Sequence, residues 1–415
     1  MIVVGAGAAG LAAANAIARA GRSVLVLEAR ERVGGRCWTR RMAGLDIPVE
    51  LGAEFIHGEA ASTRAFLAEA GITAIDSTRE QRYLERGRLS PMNAFAEAQR
   101  AVAHAPHVKH DVSFAALLAR TRLDRKTKTF ARMMVQGFDA ADPARVSAQS
   151  ILEEWGEGGS LGASQPRPQG GYGALFDWLA RSLVAAGARL QLDSPVREVL
   201  WKPGAVLASG TSFGRSFAFR GRHAIVTLPL GVLQSKAVRF SPSLRKADAL
   251  GKLASGPVIR VAMRFHRPFW EARAPRVAFF HVPEAAFPTF WTPLPMRAAL
   301  LTAWAGGPKA ARLSGSPRDR LIARALQAVV AVFGKKAQEQ LASALVQDWQ
   351  ADPCSRGGYS YVLAGGMGAR ERLAQPLDDT LFFAGEATDT DEAGTVAGAL
   401  RSGERAAREV LKKGV

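Results

Sequence analysis

Residues 2–36 read IVVGAGAAGLAAANAIARAGRSVLVLEARERVGGR, and this stretch decides the fold of the chain. A short apolar run, Ile2–Val4, leads into three closely spaced glycines and an alanine-rich segment. Gly21 predicts the end of a helix, and a second apolar run at residues 24–27 leads to Glu28. This order predicts a strand, a turn, a helix and a second strand, the context in which a glycine-rich turn binds a dinucleotide.

Each glycine of this turn has a separate task. Gly5 allows a tight turn, Gly7 lets the backbone approach a pyrophosphate, and Gly10 lets the helix pack against the sheet. The first turn of the helix, at Ala8 and Ala9, offers unpaired N–H groups and the positive end of the helix dipole to the phosphates. The turn is therefore predicted to hold a dinucleotide.

The end of the second strand indicates which dinucleotide is bound. Glu28 is placed to accept hydrogen bonds from ribose hydroxyls, and its charge would repel the 2′-phosphate of NADP. NAD and FAD both fit the glycine turn alone. Gly34 and Gly35 permit a second close backbone approach, and Arg36 can pair with the pyrophosphate. These residues favour FAD over NAD, and a cofactor site over an ordinary surface turn with arginines. Two further FAD contacts are predicted in this segment, at Ala29 and Arg30.

Residues 5–36 resemble the N-terminal flavin motif of the flavin amine oxidases, the family of monoamine oxidases, polyamine oxidases and flavin histone demethylases. Related desaturases and protoporphyrinogen oxidases share the motif, so it indicates a superfamily and no substrate. The resemblance implies an α/β fold: a doubly wound FAD-binding domain like that of glutathione reductase, with a second α+β substrate domain like that of monoamine oxidase. We expect the FAD-binding domain in residues 1–61, 168–250 and 345–415, and the substrate-binding domain in residues 62–167 and 251–344.

Further segments match the family along the chain. Gly52 and Ala53 are small enough for the backbone to lie beside an isoalloxazine ring. They belong to a segment that resembles the family's ELGA element, with Glu54 and Phe55. In polyamine oxidases a histidine at the place of His57 often lines the substrate channel, whereas a lone histidine is otherwise a structural core residue. The resemblance places Val196 at the adenine and assigns to the flavin Trp349, Gly385, Glu386, Gly394, Thr395 and Val396.

The main departure from the family lies at Arg260. The segment SGPVIRVAMRFHRPFW resembles the family strand that carries a lysine, held through a water near flavin N5, ten residues before Trp270. Lysine can shift its pKa and transfer a proton, whereas arginine stays charged and cannot act as a base. Arg260 would supply a fixed positive charge beside the reduced flavin or bind a substrate carboxylate. A misalignment of one or two residues is the alternative, but no lysine lies nearby on this strand.

The C-terminal block predicts how FAD is held and how wide the substrate site is. Residues 349–361 resemble the W-x-x-D-P…G-x-Y-S-Y signature, in which Tyr359 matches one wall of the aromatic cage around the amine. Monoamine oxidases bond the flavin to a cysteine at the place of Gly358, and Cys354 lies four residues earlier, so noncovalent FAD is expected. Thr395 replaces the second cage tyrosine, which favours a wider or longer substrate than an aryl amine.

The composition limits the classes of partner. The 415 residues carry 55 Lys and Arg against 37 Asp and Glu, a net charge of +18. These basic residues are scattered without a run of five or six, so no nucleic-acid partner is expected. Two cysteines give no disulfide framework and favour the cytoplasm, and the polar end ERAAREVLKKGV favours no membrane partner. No metal is expected, since no cysteine or carboxylate pair completes a ligand set with His104, His107 and His110.

Three functions remain compatible with the sequence. The first is an amine oxidase, in which flavin N5 takes a hydride from the carbon bearing a neutral amine and molecular oxygen reoxidises the flavin to give hydrogen peroxide. Its catalytic residues would be Tyr359, Arg260 and His57. The second is a desaturase or dehydrogenase of the same superfamily with another electron acceptor, which Arg260 favours. The third is a flavoprotein with a regulatory or binding role. The sequence assigns no oligomeric state.

Overall fold

The computed structural model describes residues 1–78, 80–105, 109–156 and 165–413. The strands in chain order are β1 (Ile2–Val4), β2 (Leu25–Leu27), β3 (Thr39–Arg40), β4 (Val49–Glu50), β5 (Ala74–Ile75), β6 (Gln81–Glu85), β7 (Arg88–Met92), β8 (Arg167–Pro168), β9 (Arg189–Gln191), β10 (Val196–Lys202), β11 (Ala205–Ser212), β12 (Arg215–Gly221), β13 (Ala224–Val226), β14 (Arg239–Ser241), β15 (Leu253–Gly256), β16 (Val258–Phe265), β17 (Phe279–His281), β18 (Thr289–Trp291), β19 (Leu300–Gly306), β20 (Leu341–Asp348), β21 (Tyr359–Val362) and β22 (Leu381–Phe383).

The helices alternate with these strands along the chain. They are α1 (Ala8–Arg19), α2 (Ala61–Glu69), α3 (Ala94–Ala103), α4 (Phe114–Arg120), α5 (Arg125–Gly137), α6 (Ala148–Trp155), α7 (Gly171–Ala185), α8 (Leu230–Gln234), α9 (Ala247–Gly251), α10 (Gly307–Leu313), α11 (Arg318–Phe333), α12 (Lys336–Glu339), α13 (Ala369–Ala374) and α14 (Val396–Leu411).

Five short strands form a parallel sheet in the order β22-β13-β1-β2-β9. Most of their residues are buried, which explains why these segments read as continuous apolar runs. Because the strands are parallel, their carboxyl ends meet at one edge of the sheet. Gly5, Glu28 and Thr227 directly follow β1, β2 and β13 at this edge. Ligands of open α/β sheets bind at such an edge.

The two faces of the parallel sheet pack against different layers. Val3 and Val26 enter a core shared with the helices α1, α7 and α14. Val4 and Leu27 enter a second core on the opposite face. There the covering layer is an antiparallel meander, β12-β11-β10, with β14 added in parallel beside β10. The predicted parallel sheet with its glycine-rich turn is confirmed, and the meander is an addition that the sequence analysis does not predict.

A second, mixed sheet of seven strands has the order β20-β16-β19-β18-β17-β6-β7. Its neighbours are antiparallel except β17 and β6, which are parallel. Residues 62–167, which we expect in the substrate-binding domain, contribute the hairpin of β6 and β7 to this sheet. Arg86 and Gly87 make its two-residue turn with φ of 49° and 76°. An arginine is rare in such a turn, so the sequence carries no hairpin signal. The division into two domains stays a prediction.

Further helices connect the strands of the two sheets, among them α5 and α6. α6 begins after Ser147, whose side chain accepts a hydrogen bond from the Ser150 N–H at 3.0 Å and caps the helix. α5 ends in a turn formed by residues 137–141, in which Ala140 has a φ of 48°. This turn carries Phe138 and Asp139 to the cavity described next.

Candidate active site

A continuous cavity of about 1210 Å³ runs from the carboxyl edge of the parallel sheet to the seven-stranded sheet. It exceeds the range of roughly 300–1,000 Å³ that is typical of a site for one small ligand. All the predicted site residues except Gly10 line it, namely Gly5, Gly7, Ala8, Ala9, Glu28, Ala29, Arg30, Gly34, Gly35, Arg36, Gly52, Ala53, Glu54, Phe55, His57, Val196, Arg260, Trp349, Tyr359, Gly385, Glu386, Gly394, Thr395 and Val396.

The glycines of the turn after β1 have different roles: Gly10 is needed for packing, and Gly7 leaves room for a ligand. A Cβ at Gly10 would lie 1.9 Å from the Gly5 carbonyl oxygen, so Gly10 serves the packing of α1 and faces no ligand. A Cβ at Gly7 would meet only Gly35 Cα, at 3.9 Å, and would otherwise project into the cavity. Gly5 has a φ of 109°, which favours glycine strongly. The turn therefore forms a cradle that fits a pyrophosphate at the N-terminus of α1.

Glu28 is fixed at the tip of β2 by two backbone donors. Ala6 N–H donates to Oε2 at 2.7 Å and Arg30 N–H donates to Oε1 at 2.9 Å. Burial raises the pKa of the Glu28 carboxyl, and these two hydrogen bonds oppose that rise. Each oxygen retains accepting capacity toward the cavity, so the position fits the predicted contact with ribose hydroxyls.

Arg30 joins the first motif to the C-terminal block. Its guanidinium donates to both oxygens of Asp352, at 2.9 and 2.8 Å, and to Ser355 Oγ at 2.9 Å. This bidentate ion pair explains why an arginine after Glu28 accompanies the D-P sequence some 300 residues later. The guanidinium holds the wall of the cavity, whereas the sequence analysis assigned it to the cofactor directly. That assignment stays a prediction.

Arg36 and Glu386 form a second bridge between distant segments. Arg36 Nη1 donates to Glu386 Oε1 at 2.9 Å and to the Gly358 carbonyl oxygen at 2.6 Å. The other oxygen of Glu386 accepts from Ser360 Oγ at 2.6 Å. Burial tends to raise the pKa of Glu386, but the charges of Arg36 and Arg370 outweigh it and hold the pKa below its usual value. Arg36 lines the cavity and stays half-buried, which leaves it available for the predicted pyrophosphate contact.

The N-terminus of α14 forms another part of the cavity wall. Thr395 caps the helix, since its Oγ1 accepts from Gly398 N–H at 3.0 Å and donates to the Glu392 carbonyl oxygen at 2.6 Å. Thr395 and Val396 both line the cavity. The positive end of a 16-residue helix is therefore placed where negative charge on a bound ring would be stabilised.

Arg260 lies at the centre of a buried charged cluster on the seven-stranded sheet. It donates to the Gly52 carbonyl oxygen at 2.6 Å and to Glu54 Oε2. Glu54 also accepts from Arg167 Nε at 2.6 Å and from Trp291 Nε1 at 3.0 Å. Burial would raise the pKa of Glu54, but the two guanidinium groups lower it overall. Arg260 and Arg167 thus share one carboxylate, which the sequence analysis did not pair with either of them.

Three aromatic side chains are held by backbone carbonyls at the substrate end of the cavity. Tyr359 Oη donates to the Phe138 carbonyl oxygen at 2.5 Å, and Trp349 Nε1 donates to the Leu51 carbonyl oxygen at 2.9 Å. Trp304 Nε1 donates to the carbonyl oxygen of residue 137 at 2.7 Å. These hydrogen bonds fix the orientation of the rings, and the tyrosine hydroxyl donates its proton to a backbone carbonyl.

His57 lies beside the turn after α5. Its ring is 5.2 Å from that of Phe138 in an edge-to-face arrangement and 6.1 Å from that of Phe55. Burial lowers the pKa of His57 to about 4, so the imidazole is neutral at physiological pH. Its Nδ1 has no hydrogen-bond partner among the residues that the structure describes. The location at the cavity fits the predicted substrate contact, which stays a prediction.

Several acidic residues of the cavity wall were missed by the sequence analysis, among them Asp139 and Glu154. No motif of the sequence analysis marks these two residues, which lie on the turn after α5 and on α6. No lysine of the described residues lines the cavity either, which agrees with the absence of lysine from β16.

The remaining predicted features lie outside the cavity or outside the described residues. His104 and His110 are exposed, and His107 falls among residues that the structure does not describe. In the described residues no three His, Cys, Asp or Glu side chains are grouped so as to hold a metal ion. None of the described helices combines the length and apolar character needed to cross a membrane.

Comparison with known proteins identifies the family. The sequence pattern of the flavin-containing amine oxidoreductases matches residues 8–411. Human lysine-specific histone demethylase 2 is 27% identical over 454 residues, which cover 99% of this chain and 53% of the demethylase. Polyamine oxidase 4 of Oryza sativa subsp. japonica is 26% identical over 450 residues, which cover 100% of this chain and 88% of that enzyme. The chain thus spans about half the length of the demethylase relative.

Solved structures show the same fold. Putrescine oxidase bound to putrescine has a TM-score of 0.82 and 22% identity, with 99% of this chain and 98% of that chain covered. Cyclohexylamine oxidase from Brevibacterium oxydans gives the same TM-score, identity and coverage. Together with the family match and the cradle at the edge of the parallel sheet, these findings show that this chain belongs to the flavin-containing amine oxidoreductases and that its cofactor is FAD.

Proposed function

We propose that this protein oxidises the C–N bond of an amine or polyamine-like substrate, with FAD as the redox cofactor. The observation that carries the proposal is the continuity of one cavity, which joins the glycine cradle to a chamber walled by fixed aromatic rings. Membership of the flavin-containing amine oxidoreductases supports the reaction class. The putrescine and cyclohexylamine oxidases of the same fold act on amines according to their names.

Residues along the edge of the parallel sheet would hold the cofactor. Gly7 and the first turn of α1 receive the pyrophosphate, and Glu28 accepts hydrogen bonds from the ribose. Thr395 and Val396 bring the positive end of α14 to the ring. When bound, FAD supplies the acceptor for the hydride that leaves the carbon next to the amine nitrogen.

The chamber favours the uncharged form of an amine. The rings of Phe55, Phe279 and Trp291 pack together with centroid distances of 5.7 to 5.9 Å. His57 is neutral, because burial lowers its pKa to about 4. An apolar environment stabilises a neutral amine relative to an ammonium ion, and the neutral amine is the form whose adjacent carbon gives up a hydride. Tyr359 forms a fixed wall against which the amine is oriented.

Noncovalent attachment of FAD is supported by the packing around Gly358. A Cβ at this position would lie 2.5 Å from Val258 Cγ2, so the site has no room for the side chain of a cysteine. Cys354 lies at the other end of the block, where its N–H donates to Asp352 Oδ1 at 2.9 Å beside Arg30. Burial raises the pKa of Cys37, which keeps this thiol protonated and unreactive.

A second candidate function differs from the proposed one in its electron acceptor. Molecular oxygen, giving hydrogen peroxide, is the acceptor we propose. A dehydrogenase or desaturase that uses another acceptor is favoured by one observation: no lysine of the described residues lines the cavity, and Arg260 is tied to Glu54 by a buried ion pair. A cavity without a lysine lacks the compact ammonium charge that would stabilise reduced oxygen.

An anaerobic titration tests the proposal. The purified yellow holoenzyme is mixed without oxygen with a panel of amines, polyamines and amino acids, and the flavin absorbance is recorded. We expect at least one amine to bleach the flavin, and hydrogen peroxide to form in step with reoxidation when air is admitted. Bleaching without peroxide would assign the protein to the second function. A flavin that no amine bleaches would refute amine oxidation.

A further inference from the structure

Arg260 lines two cavities, the large one described above and a small one of about 20 Å³. The small cavity also lies against Glu50, the last residue of β4, and against Thr302 of β19. The rest of its wall is mainly apolar and includes Pro48, Pro168, Pro293, Met296 and Leu300. The proposed reaction gives neither Glu50 nor this cavity a role.

The guanidinium of Arg260 has one donor without an acceptor. The side chain is only 2% exposed. Nη1 donates to the Gly52 carbonyl oxygen and Nη2 donates to Glu54, whereas the Nε–H has no acceptor among the described residues. A buried donor in this state is costly, and native proteins leave few of them. Because Arg260 lines the small cavity, a group inside that cavity can supply the missing acceptor.

The carboxyl group of Glu50 shows the complementary feature. Glu50 is 6% exposed, and its Oε1 accepts from Thr39 Oγ1 at 2.8 Å and from the Tyr172 N–H at 2.7 Å. Its Oε2 receives no hydrogen bond in the part of the chain that the structure describes. The small cavity therefore lies between a residue with a spare donor and a residue with a spare acceptor.

The size and the chemistry of the cavity fit one water molecule. A water needs a cavity of roughly 10–15 Å³ or more and a few polar partners. A cation would be repelled by Arg260 and an anion by Glu50, so a neutral molecule fits best. A water can accept from the Nε–H and donate to Oε2, and the hydroxyl of Thr302 lies in the same wall.

We propose that one buried water joins Arg260 Nε to Glu50 Oε2, and that Glu50 is thereby a positioning residue for the Arg260 guanidinium. The bridge holds the third nitrogen of a guanidinium whose other two nitrogens are bound by Gly52 and Glu54. Arg260 also lines the large cavity, so Glu50 influences the charge placed beside a bound flavin without contacting it.

The protonation state of Glu50 changes the bridge near neutral pH. Burial raises the pKa of Glu50 to about 7, although the hydrogen bonds from Thr39 and Tyr172 and the charge of Arg260 oppose this rise. The ionised carboxylate accepts a hydrogen bond from the water. A proton on Oε2 makes this atom a donor, and the water must then turn.

The other titratable groups around Glu50 keep their charge state at neutral pH. Burial raises the pKa of Cys37 and of Tyr172, so the thiol and the phenol stay neutral. Burial would also raise the pKa of Glu54, but the charges of Arg260 and Arg167 lower it overall, so this carboxylate stays ionised. A titration of this cluster near pH 7 is therefore assigned to Glu50.

A crystal structure of the holoenzyme, at a resolution that shows ordered waters, tests the bridge. We expect one water within roughly 3.2 Å of both Arg260 Nε and Glu50 Oε2. A cavity without electron density, or a water bonded to only one of these atoms, would overturn the inference. The result does not depend on the reaction, since no substrate is added.

Variants at the two oxygens of Glu50 test the positioning role. Glu50→Gln keeps an acceptor for Thr39 and Tyr172 and removes the ionisation. Thr39→Val, the matched control, removes a donor to Oε1 and leaves Oε2 and its water in place. The visible absorption spectrum of bound FAD is recorded from about pH 5 to about pH 9. Flavin content and melting temperature confirm that each variant is folded.

The spectra separate a positioning role from a structural one. We expect the wild type to show a spectral shift centred near pH 7 and Glu50→Gln to lose it. Thr39→Val should keep the shift at a higher pH, because the hydrogen bond from Thr39 lowers the pKa of Glu50. A wild type without a shift, a shift that persists in Glu50→Gln, or its loss in both variants would refute the positioning role.

Discussion

Replacing Glu54 with glutamine tests the buried charged cluster of the seven-stranded sheet. Glu54 accepts hydrogen bonds from Arg167, Arg260 and Trp291, and its side chain is 10% exposed. The amide of glutamine keeps one acceptor oxygen, but its NH2 group faces a guanidinium and cannot accept. Two buried guanidinium groups are then left without a counter-charge.

The structure gives the expected magnitude. The side chains of Arg260 and Arg167 are 2% and 6% exposed, so solvent replaces little of the lost interaction. Removing one partner of a buried ion pair costs about 3–5 kcal/mol of unfolding free energy. Glu69→Gln makes the same chemical change at a surface pair, where the side chains of Arg19 and Glu69 are 49% and 43% exposed. Such a pair contributes about 0–1 kcal/mol.

Urea unfolding of the two holoenzyme variants, followed by tryptophan fluorescence, measures the difference. We expect Glu54→Gln to lower the unfolding free energy by about 3 kcal/mol or more relative to Glu69→Gln. The contribution of Glu54 should also depend on pH. Because its pKa is lowered in the folded state, its stabilisation is present above the pKa of an unfolded glutamate and is lost as the pH falls below it. Equal destabilisation by the two variants at neutral pH would refute the reasoning.

Three further outcomes are expected. Gly10→Ala should lose bound FAD or fail to fold, because its Cβ would lie 1.9 Å from the Gly5 carbonyl oxygen. Gly251→Ala, which has open space around its Cβ, should keep a normal flavin-to-protein absorbance ratio. Equal ratios for the two variants would contradict the assigned packing role of Gly10. Burial lowers the pKa of His281 to about 4. Between pH 7 and 4 the wild type should therefore lose about 3 kcal/mol more unfolding free energy than His281→Gln in urea titrations. Identical pH dependence of the two proteins would refute this prediction. Arg260→Lys should speed reoxidation of the flavin by oxygen about tenfold or more in stopped-flow measurements, because a compact ammonium concentrates the positive charge that a guanidinium delocalises. An unchanged rate would count against an electrostatic role.

The segments that the sequence predicts well are those whose signal is local. The first 30 residues contain the patterns of a strand, a glycine-rich turn, a helix and a second strand, and the structure confirms β1, α1 and β2 there. The hairpin of β6 and β7 is different, because its turn uses Arg86 in a left-handed conformation that arginine rarely adopts. The residues of that hairpin are held by pairing with β17, almost 200 residues away, and such pairing leaves no trace in local sequence.

For the site, the sequence by itself determined the dinucleotide cradle, the membership of a superfamily and the absence of lysine from the strand of Arg260. These are properties of contiguous residues whose spacing is imposed by one turn, one helix or one strand. Only the tertiary structure decided that Glu54 pairs with both Arg260 and Arg167, that Gly358 has no room for a side chain, and that Asp139 lies in the same wall as Glu154. The physical reason is that charge balance, steric room and hydrogen-bond satisfaction depend on atoms brought together from distant parts of the chain.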